Sequence, residues 1–200
     1  MATGKKVTDE MLLKDAEEKG AAFARLQFCD VLGVPKAVEI PLAHLKEALR
    51  DGLPFDGSSI KGFAGIAAAD MLLRPDVSTW RILSFEEQPI ASLFCDVYVG
   101  GRPFAGDPRF ILATQLAAAE KAGFGGMNLG FEPEFDLFPL DADGKPLLVP
   151  GDRAGYFDVD PLDALGAVRR DIAAKLAAMG FAVTAVHHEV GNGQNEIDFM

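Results

Sequence analysis

Four glutamates carry the strongest chemical signal in this 200-residue chain: Glu132 and Glu134 in one segment, Glu189 and Glu196 in another. In Gly130-Phe131-Glu132-Pro133-Glu134-Phe135-Asp136-Leu137-Phe138 the acids alternate with apolar residues. Strand side chains repeat every second residue, so Glu132, Glu134 and Asp136 would share one face. Carboxylates crowded on one face repel unless a positive charge sits between them. The pattern alone also fits the solvated face of an amphipathic strand. Pro133 weighs against that alternative, because a proline inside a strand gives up a ladder hydrogen bond and needs local compensation.

The chain closes on His187-His188-Glu189-Val190-Gly191-Asn192-Gly193-Gln194-Asn195-Glu196-Ile197-Asp198-Phe199. A glycine-rich turn separates two strand-like runs there, which predicts Glu189 and Glu196 side by side across a hairpin. Carboxylate ligands suit hard cations, Mg²⁺ or Mn²⁺, better than zinc. The two histidines lack the HExxH spacing of a zinc protease, so buried or supporting roles are expected for His187 and His188. A third polar stretch, Phe55-Asp56-Gly57-Ser58-Ser59-Ile60-Lys61-Gly62-Phe63, taken alone reads as an ordinary Asp-Gly turn. Neither GxxxxGK[ST] nor GxGxxG occurs, so any nucleotide would be held through metals. Asp141-Ala142-Asp143-Gly144 resembles the start of a calcium loop, but its glycine comes two positions early and a hairpin turn is expected.

Composition narrows the function classes. Lys plus Arg is 19 and Asp plus Glu is 30, a net charge of −11. That balance argues against nucleic acid or an anionic membrane as partner, since both need basic surface. Cys29 and Cys95 each sit in an apolar run and supply neither a disulfide framework nor a CxxC metal pair. Two buried thiols in a reducing cytoplasm are expected. Residues 1–20 are charged, without the apolar core of a signal peptide, and no apolar stretch is long enough to span a bilayer. A cytoplasmic protein with no membrane partner is therefore expected.

The elements that must position these residues are partly marked. Thr8 with Asp9 and Glu10 reads as a helix start, closed by Gly20. Residues 22–30 and 36–40 read as strands joined by a turn around Gly33 and Pro35. Pro41 at a first helical position predicts a short helix, stopped by Asp51-Gly52, and residues 53–65 read as a loop. Extended segments follow at 69–74, 79–85 and 91–99. Asp107-Pro108 predicts a helix to Gly123, and Asp160-Pro161 another to Gly180. Strands are predicted at 127–140, 181–190 and 195–200, the last as an unpaired edge prone to aggregation. Helices and strands do not alternate strictly, so the fold class is α+β with largely antiparallel sheets. The Gly- and Pro-rich stretch 100–108 marks a domain boundary, giving domains over 1–105 and 106–200.

Several of these segments occur together and in order: Phe55-Asp56-Gly57-Ser58-Ser59-Ile60, Asp70-Met71 through Arg74-Pro75-Asp76, and Gly106-Asp107-Pro108-Arg109. Glu132-Pro133-Glu134-Phe135, Gly155-Tyr156-Phe157-Asp158, Arg169-Arg170-Asp171-Ile172 and His187-His188-Glu189 to Glu196 complete the set. In this order and spacing, nearly the whole chain resembles bacterial-type (type I) glutamine synthetase. The resemblance implies a small N-terminal β-grasp domain, then the start of an antiparallel-sheet catalytic α+β domain. It implies an ATP-dependent ligase joining ammonium to glutamate, with two Mg²⁺ or Mn²⁺ ions per complete site and active sites between subunits of a double-ring dodecamer. Glu134, Glu189 and Glu196 match the ligands of one ion, and Glu132 a ligand of the second. Asp56 and Ser59 match an ammonium-handling loop that reaches the adjacent subunit's site, to which Tyr156 and Glu189 would also contribute.

The chain also departs from that family. It stops at Met200, before the family's later histidine, arginine and flap segments, so an incomplete, inactive N-terminal half is expected. Thr184 stands where the family often has a glutamate near the nucleotide. Gly65 stands where one subtype has an arginine used in feedback inhibition by glutamine, and the tyrosine adenylylated in another subtype would lie beyond Met200. Two rivals follow: a γ-glutamyl ligase using an amine or polyamine, and a non-catalytic structural or regulatory homologue. Asp56, Ser59 and Tyr156 favour ammonium over the first, because an alkylamine needs a roomier, less charged pocket.

Overall fold

In the computed structural model, which describes residues 8–60, 62–63, 70–85 and 87–200, two units are distinct, Met1–Gly126 and Met127–Met200. Gly65 and the predicted strand start at Ala69 lie outside the described residues. The first unit is organised on one long strand, β6 (Ile90–Val99), whose Ala91, Leu93, Cys95 and Val97 are fully buried. Its first half pairs in parallel with β1 (Phe23–Cys29), and its second half antiparallel with β4 (Asp70–Pro75). β2 (Pro35–Pro41) extends the sheet beyond β1, and β3 (Leu53–Asp56) beyond β4. β5 (Arg81–Leu83) and β7 (Arg102–Pro103) add to β6. The sheet order is thus β2-β1-β6-β4-β3, antiparallel except at β1–β6.

Two helices add to this core. α1 (Asp9–Glu18) opens where Thr8 accepts from the Met11 N–H, and it buries Leu12 and Ala16. α2 (Leu45–Asp51) buries Leu45 and Ala48 and ends at Gly52, whose φ of 83° suits glycine. Leu26, Leu45, Leu73 and Leu93 are fully buried, each stabilising the fold by about 1.5–3 kcal/mol. Pro41 differs from expectation: it closes β2, and a single 3₁₀ turn, Leu42–His44, separates it from α2. Residues 53–56, read as loop, are a strand because Phe55 turns inward onto Phe28, with ring centroids 5.2 Å apart.

α3 (Pro108–Lys121) begins where predicted, and its cap also ties it to the sheet. One Asp107 carboxylate oxygen accepts from the Arg109 N–H at 3.0 Å, and the other from the Val97 N–H of β6 at 2.9 Å. Arg109 in turn donates to Asp96 and Asp76.

The second unit is a three-stranded antiparallel sheet of order β8-β10-β9, formed by β8 (Glu134–Asp136), β9 (Val183–His188) and β10 (Gln194–Phe199). The final strand is therefore central, not the unpaired edge read from sequence. Residues 131–136 run along its far side, where the Phe131 and Pro133 carbonyls accept from the Phe199 and Ile197 N–H groups. Pro133 has no N–H to return, which is why the regular ladder shrinks to three residues from the predicted 127–140. α4 (Gly166–Ala178) packs on β9 and β10 and starts later than Asp160-Pro161 suggested. Residues 159–163 instead close a turn on the Val159 carbonyl, which accepts from the Leu162 and Asp163 N–H groups, and the Asp163 carboxylate is engaged by Arg169. Asp141 accepts from the Asp143 and Lys145 N–H groups, the expected hairpin turn.

Replacing Asp107 by Ala strands the buried Val97 N–H and removes the α3 cap, so urea unfolding should show a loss of about 2–4 kcal/mol. A loss below about 0.5 kcal/mol, the range of an ordinary surface substitution, would contradict this role.

Candidate functional site

Strand register places the chemically active side chains of the second unit in rows. Glu196 of β10 lies directly between Glu134 of β8 and His187 of β9. Continuing that register sets Asp198 opposite Glu132, bracketed by the two carbonyl contacts from Phe131 and Pro133. Alternation then gives this face Glu132, Glu134 and Asp136, with Glu196, Asp198, His187 and Glu189. The opposite face carries His188, Asn195 and Ile197, all buried.

Distances on the acidic face are short. His187 Nε2 lies 3.6 Å from Glu196 and 3.8 Å from Asp198, while its Nδ1 lies 3.7 Å from Glu189. One ligand atom each from His187, Glu196 and Asp198 fall within 4.8 Å of one another. Gln194 donates to Glu134 at 2.6 Å, and Glu189 accepts from the Val190 N–H. Burial, then hydrogen bonding shared with Glu189 and Asp198 and the charge of Asp198, push the Glu196 carboxyl up to about 7; His187 pulls the other way. Asp198 Oδ1 is buried without a hydrogen-bond partner. Crowded anions, an orphaned carboxylate oxygen and a donor set of oxygens plus one imidazole fit a hard divalent cation.

The loop before α4 borders this face. Phe157 adopts a φ of 61° and its N–H donates to the His188 carbonyl. Tyr156 stacks on Phe157 with centroids 3.9 Å apart, and both rings meet His187 edge-on. On the other face, the His188 ring is fully buried between two acceptors, Asp152 Oδ1 at 2.9 Å and the Glu189 carbonyl at 2.6 Å. Burial favours its neutral form, but these bonds outweigh that and raise its pKa, as a ring donating from both nitrogens must be cationic. Burial likewise acts to raise the Asp152 carboxyl, yet the His188 and Gly193 donors hold it low.

In the first unit, Asp56 ends β3 and is exposed, accepting from both the N–H (2.8 Å) and hydroxyl (2.6 Å) of Ser58. Those bonds hold its carboxyl below the usual range. Ser59, also exposed, ends the 3₁₀ turn Gly57–Ser59. Gly57 packs closely there: a Cβ would fall 2.3 Å from the Met71 sulfur, so the buried Met71 side chain would have to shift.

The seven residues singled out from sequence thus fall into two groups: Asp56 and Ser59 on one turn, and Glu132, Glu134, Glu189, Glu196 and Tyr156 around one sheet face. Glu132 is exposed on the approach to β8. Sequence reasoning assigned no role to Asp198 and a supporting one to His187. The signal for Asp198 was its place two residues after Glu196, and that for His187 was the hairpin register. Thr184 is exposed on β9.

Comparison with known proteins agrees over most of the chain. A family model described as "Glutamine synthetase, beta-Grasp domain" matches residues 20–100, and one described as "Glutamine synthetase, catalytic domain" matches 105–200. A glutamine synthetase of Staphylococcus aureus is 48% identical over 195 residues, and one of Thermus thermophilus is 48% identical over 198. Each alignment covers 96% of this chain and 44% of the relative, so the chain spans less than half the length of these proteins. A structure of a GmaS/ADP complex superimposes with a TM-score of 0.79 at 28% identity, over 94% of this chain and 44% of that one. A cryo-EM structure of Plasmodium falciparum glutamine synthetase shares the fold, with a TM-score of 0.76 at 20% identity over 100% of this chain and 45% of that one.

Because the Glu196 carboxyl is raised in the fold to about 7, its contribution is present at low pH and lost as pH rises from about 4.5 to 7. In the metal-free chain, the thermal midpoint should fall over that interval, and Glu196→Gln should flatten the fall. Parallel pH profiles for the parent and Glu196→Gln would contradict the crowding of these carboxylates.

Proposed function

The chain belongs to the glutamine synthetase family, and from that premise we propose that it is the opening part of an ATP-dependent glutamate–ammonia ligase. The reaction joins ammonium to the γ-carboxylate of glutamate through γ-glutamyl phosphate. The fold is α+β, a β-grasp domain followed by the start of the catalytic domain; we place these over residues 1–105 and 106–200. The single observation that carries the reading is the Glu134–Glu196–His187 row, with Glu189 and Asp198 beside it.

Glu134, Glu189 and Glu196 would hold one Mg²⁺ or Mn²⁺, and Glu132 would contribute to a second. Bound divalent ions screen phosphate charge and orient phosphoryl transfer. Asp56, held anionic by Ser58, attracts ammonium and accepts one of its protons. The resulting ammonia attacks the γ-carbonyl of the acyl phosphate; phosphate departs with the bonding pair and takes up the second proton that the nitrogen sheds in forming the amide. General-base assistance of this kind contributes roughly 10²–10⁴-fold in rate. Ser59 belongs to the same ammonium-handling turn, which serves the adjacent subunit's site in a homo-oligomer of dodecameric type. Tyr156 supplies part of the ammonium pocket, and its stack with Phe157 provides an apolar border that limits hydrolysis of the acyl phosphate. A net charge of −11 speaks against nucleic-acid or anionic-membrane partners, and two free cysteines suit a reducing cytoplasm. Among the described residues no helix is long and apolar enough to cross a membrane.

The deciding assay supplies the full-length protein with glutamate, ATP and Mg²⁺ or Mn²⁺, and either ammonium or an alkylamine. We expect glutamine from ammonium; a γ-glutamyl amide from the alkylamine alone would overturn the reading. Glu134→Ala should abolish metal binding and turnover; unchanged activity would overturn the metal assignment, whereas a parent that binds metal weakly and forms no γ-glutamyl phosphate would favour the non-catalytic homologue. Asp56→Asn should lower kcat by roughly 10²–10⁴-fold with Mn²⁺ affinity retained.

A further inference from the structure

Asp152 belongs to neither group of residues described above, yet three segments that carry the carboxylates converge on it. Its Oδ1 accepts from His188 Nε2 at 2.9 Å, from the Gly193 N–H at 3.0 Å and from the Ala154 N–H at 3.3 Å. The side chain is 3% exposed, and its Oδ2 is buried without a partner. His188 passes the contact on, because its Nδ1 reaches the carbonyl of Glu189, the next residue. Gly193 ends the turn between Glu189 and Glu196, and its carbonyl accepts from the Leu137 N–H just beyond β8. Leu137 then accepts from the Gly151 N–H, next to Asp152 itself. The fit is close: a Cβ on Gly193, whose φ is 72°, would lie 2.9 Å from the Gly151 nitrogen.

We propose that Asp152 is a positioning residue that fixes the Glu189 backbone and the 190–193 turn from the opposite face of the sheet, setting Glu189 against Glu134 and Glu196 and thereby the affinity for a divalent cation. It rests on the metal reading given above. A group that orients a metal ligand without touching the metal typically accounts for roughly 10–100-fold in affinity.

The test titrates Mn²⁺ into this chain and follows the EPR signal of the free ion, with circular dichroism as the check of fold. Asp152→Ala should weaken Mn²⁺ binding about 10–100-fold. Asp152→Asn keeps an oxygen that accepts from Gly193 and His188, and should recover most of that loss. Gly193→Ala crowds the Gly151 nitrogen without removing a charge, and should also weaken binding. A folded Asp152→Ala protein that binds like the parent overturns the inference. So does a loss in Asp152→Asn equal to that in Asp152→Ala, because charge and not position would then matter. If Asp152→Ala fails to fold, parent-like binding by Gly193→Ala overturns it. A parent that binds no Mn²⁺ sinks the metal reading and this inference together, whereas parent binding with unaffected variants sinks the inference alone.

Discussion

Repulsion among carboxylates on one face of a three-stranded sheet is the constraint around which the second unit is built. Glu134, Glu189, Glu196 and Asp198 share that face, and the register sets the His187 imidazole among them. A sheet cannot relax such crowding by rotating side chains away, since alternation fixes which face each one occupies. The Glu196 carboxyl answers by holding its proton to about 7. A site of this kind is costly when empty and favourable when a cation joins it, so its geometry must be enforced from elsewhere.

The opposite face provides that enforcement. His188, Asn195 and Ile197 are buried, and Arg169 of α4 donates to both Asn195 and Asp163. Buried charges stabilise little by themselves, because desolvation consumes much of their attraction. Their value here is directional: Arg169 ties α4 to the central strand, and Asp152 ties its loop to the β9–β10 turn. The backbone under the acidic face is thereby tied down by charged groups on the opposite face of the sheet.

Much of this was legible in the sequence. Period-two spacing put Glu132, Glu134 and Asp136 on one face, and the Asp107-Pro108 start of α3 followed from local capping chemistry alone. Strand order was not legible, because pairing between residues 131–136 and β10 joins segments some sixty residues apart and has no local signature. That is why β10 read as an exposed edge and why Asp198 went unassigned. The start of α4 was misplaced because residues 159–163 close a turn, the Val159 carbonyl accepting from the Leu162 and Asp163 N–H groups, and the helix begins only at Gly166.

The parallel pairing of β1 with β6 has a consequence in time. β1 ends at Cys29 and its central neighbour does not begin until Ile90. At synthesis rates of about 5–20 residues per second, the N-terminal hairpin waits on the order of 3–12 s on the ribosome before the strand that completes its sheet exists. During that wait the inner edge of β1 is an open template, and the non-local closure that ends it belongs to the slow class of folding steps. The birth order of its strands makes the first unit a natural client for whatever shields nascent chains.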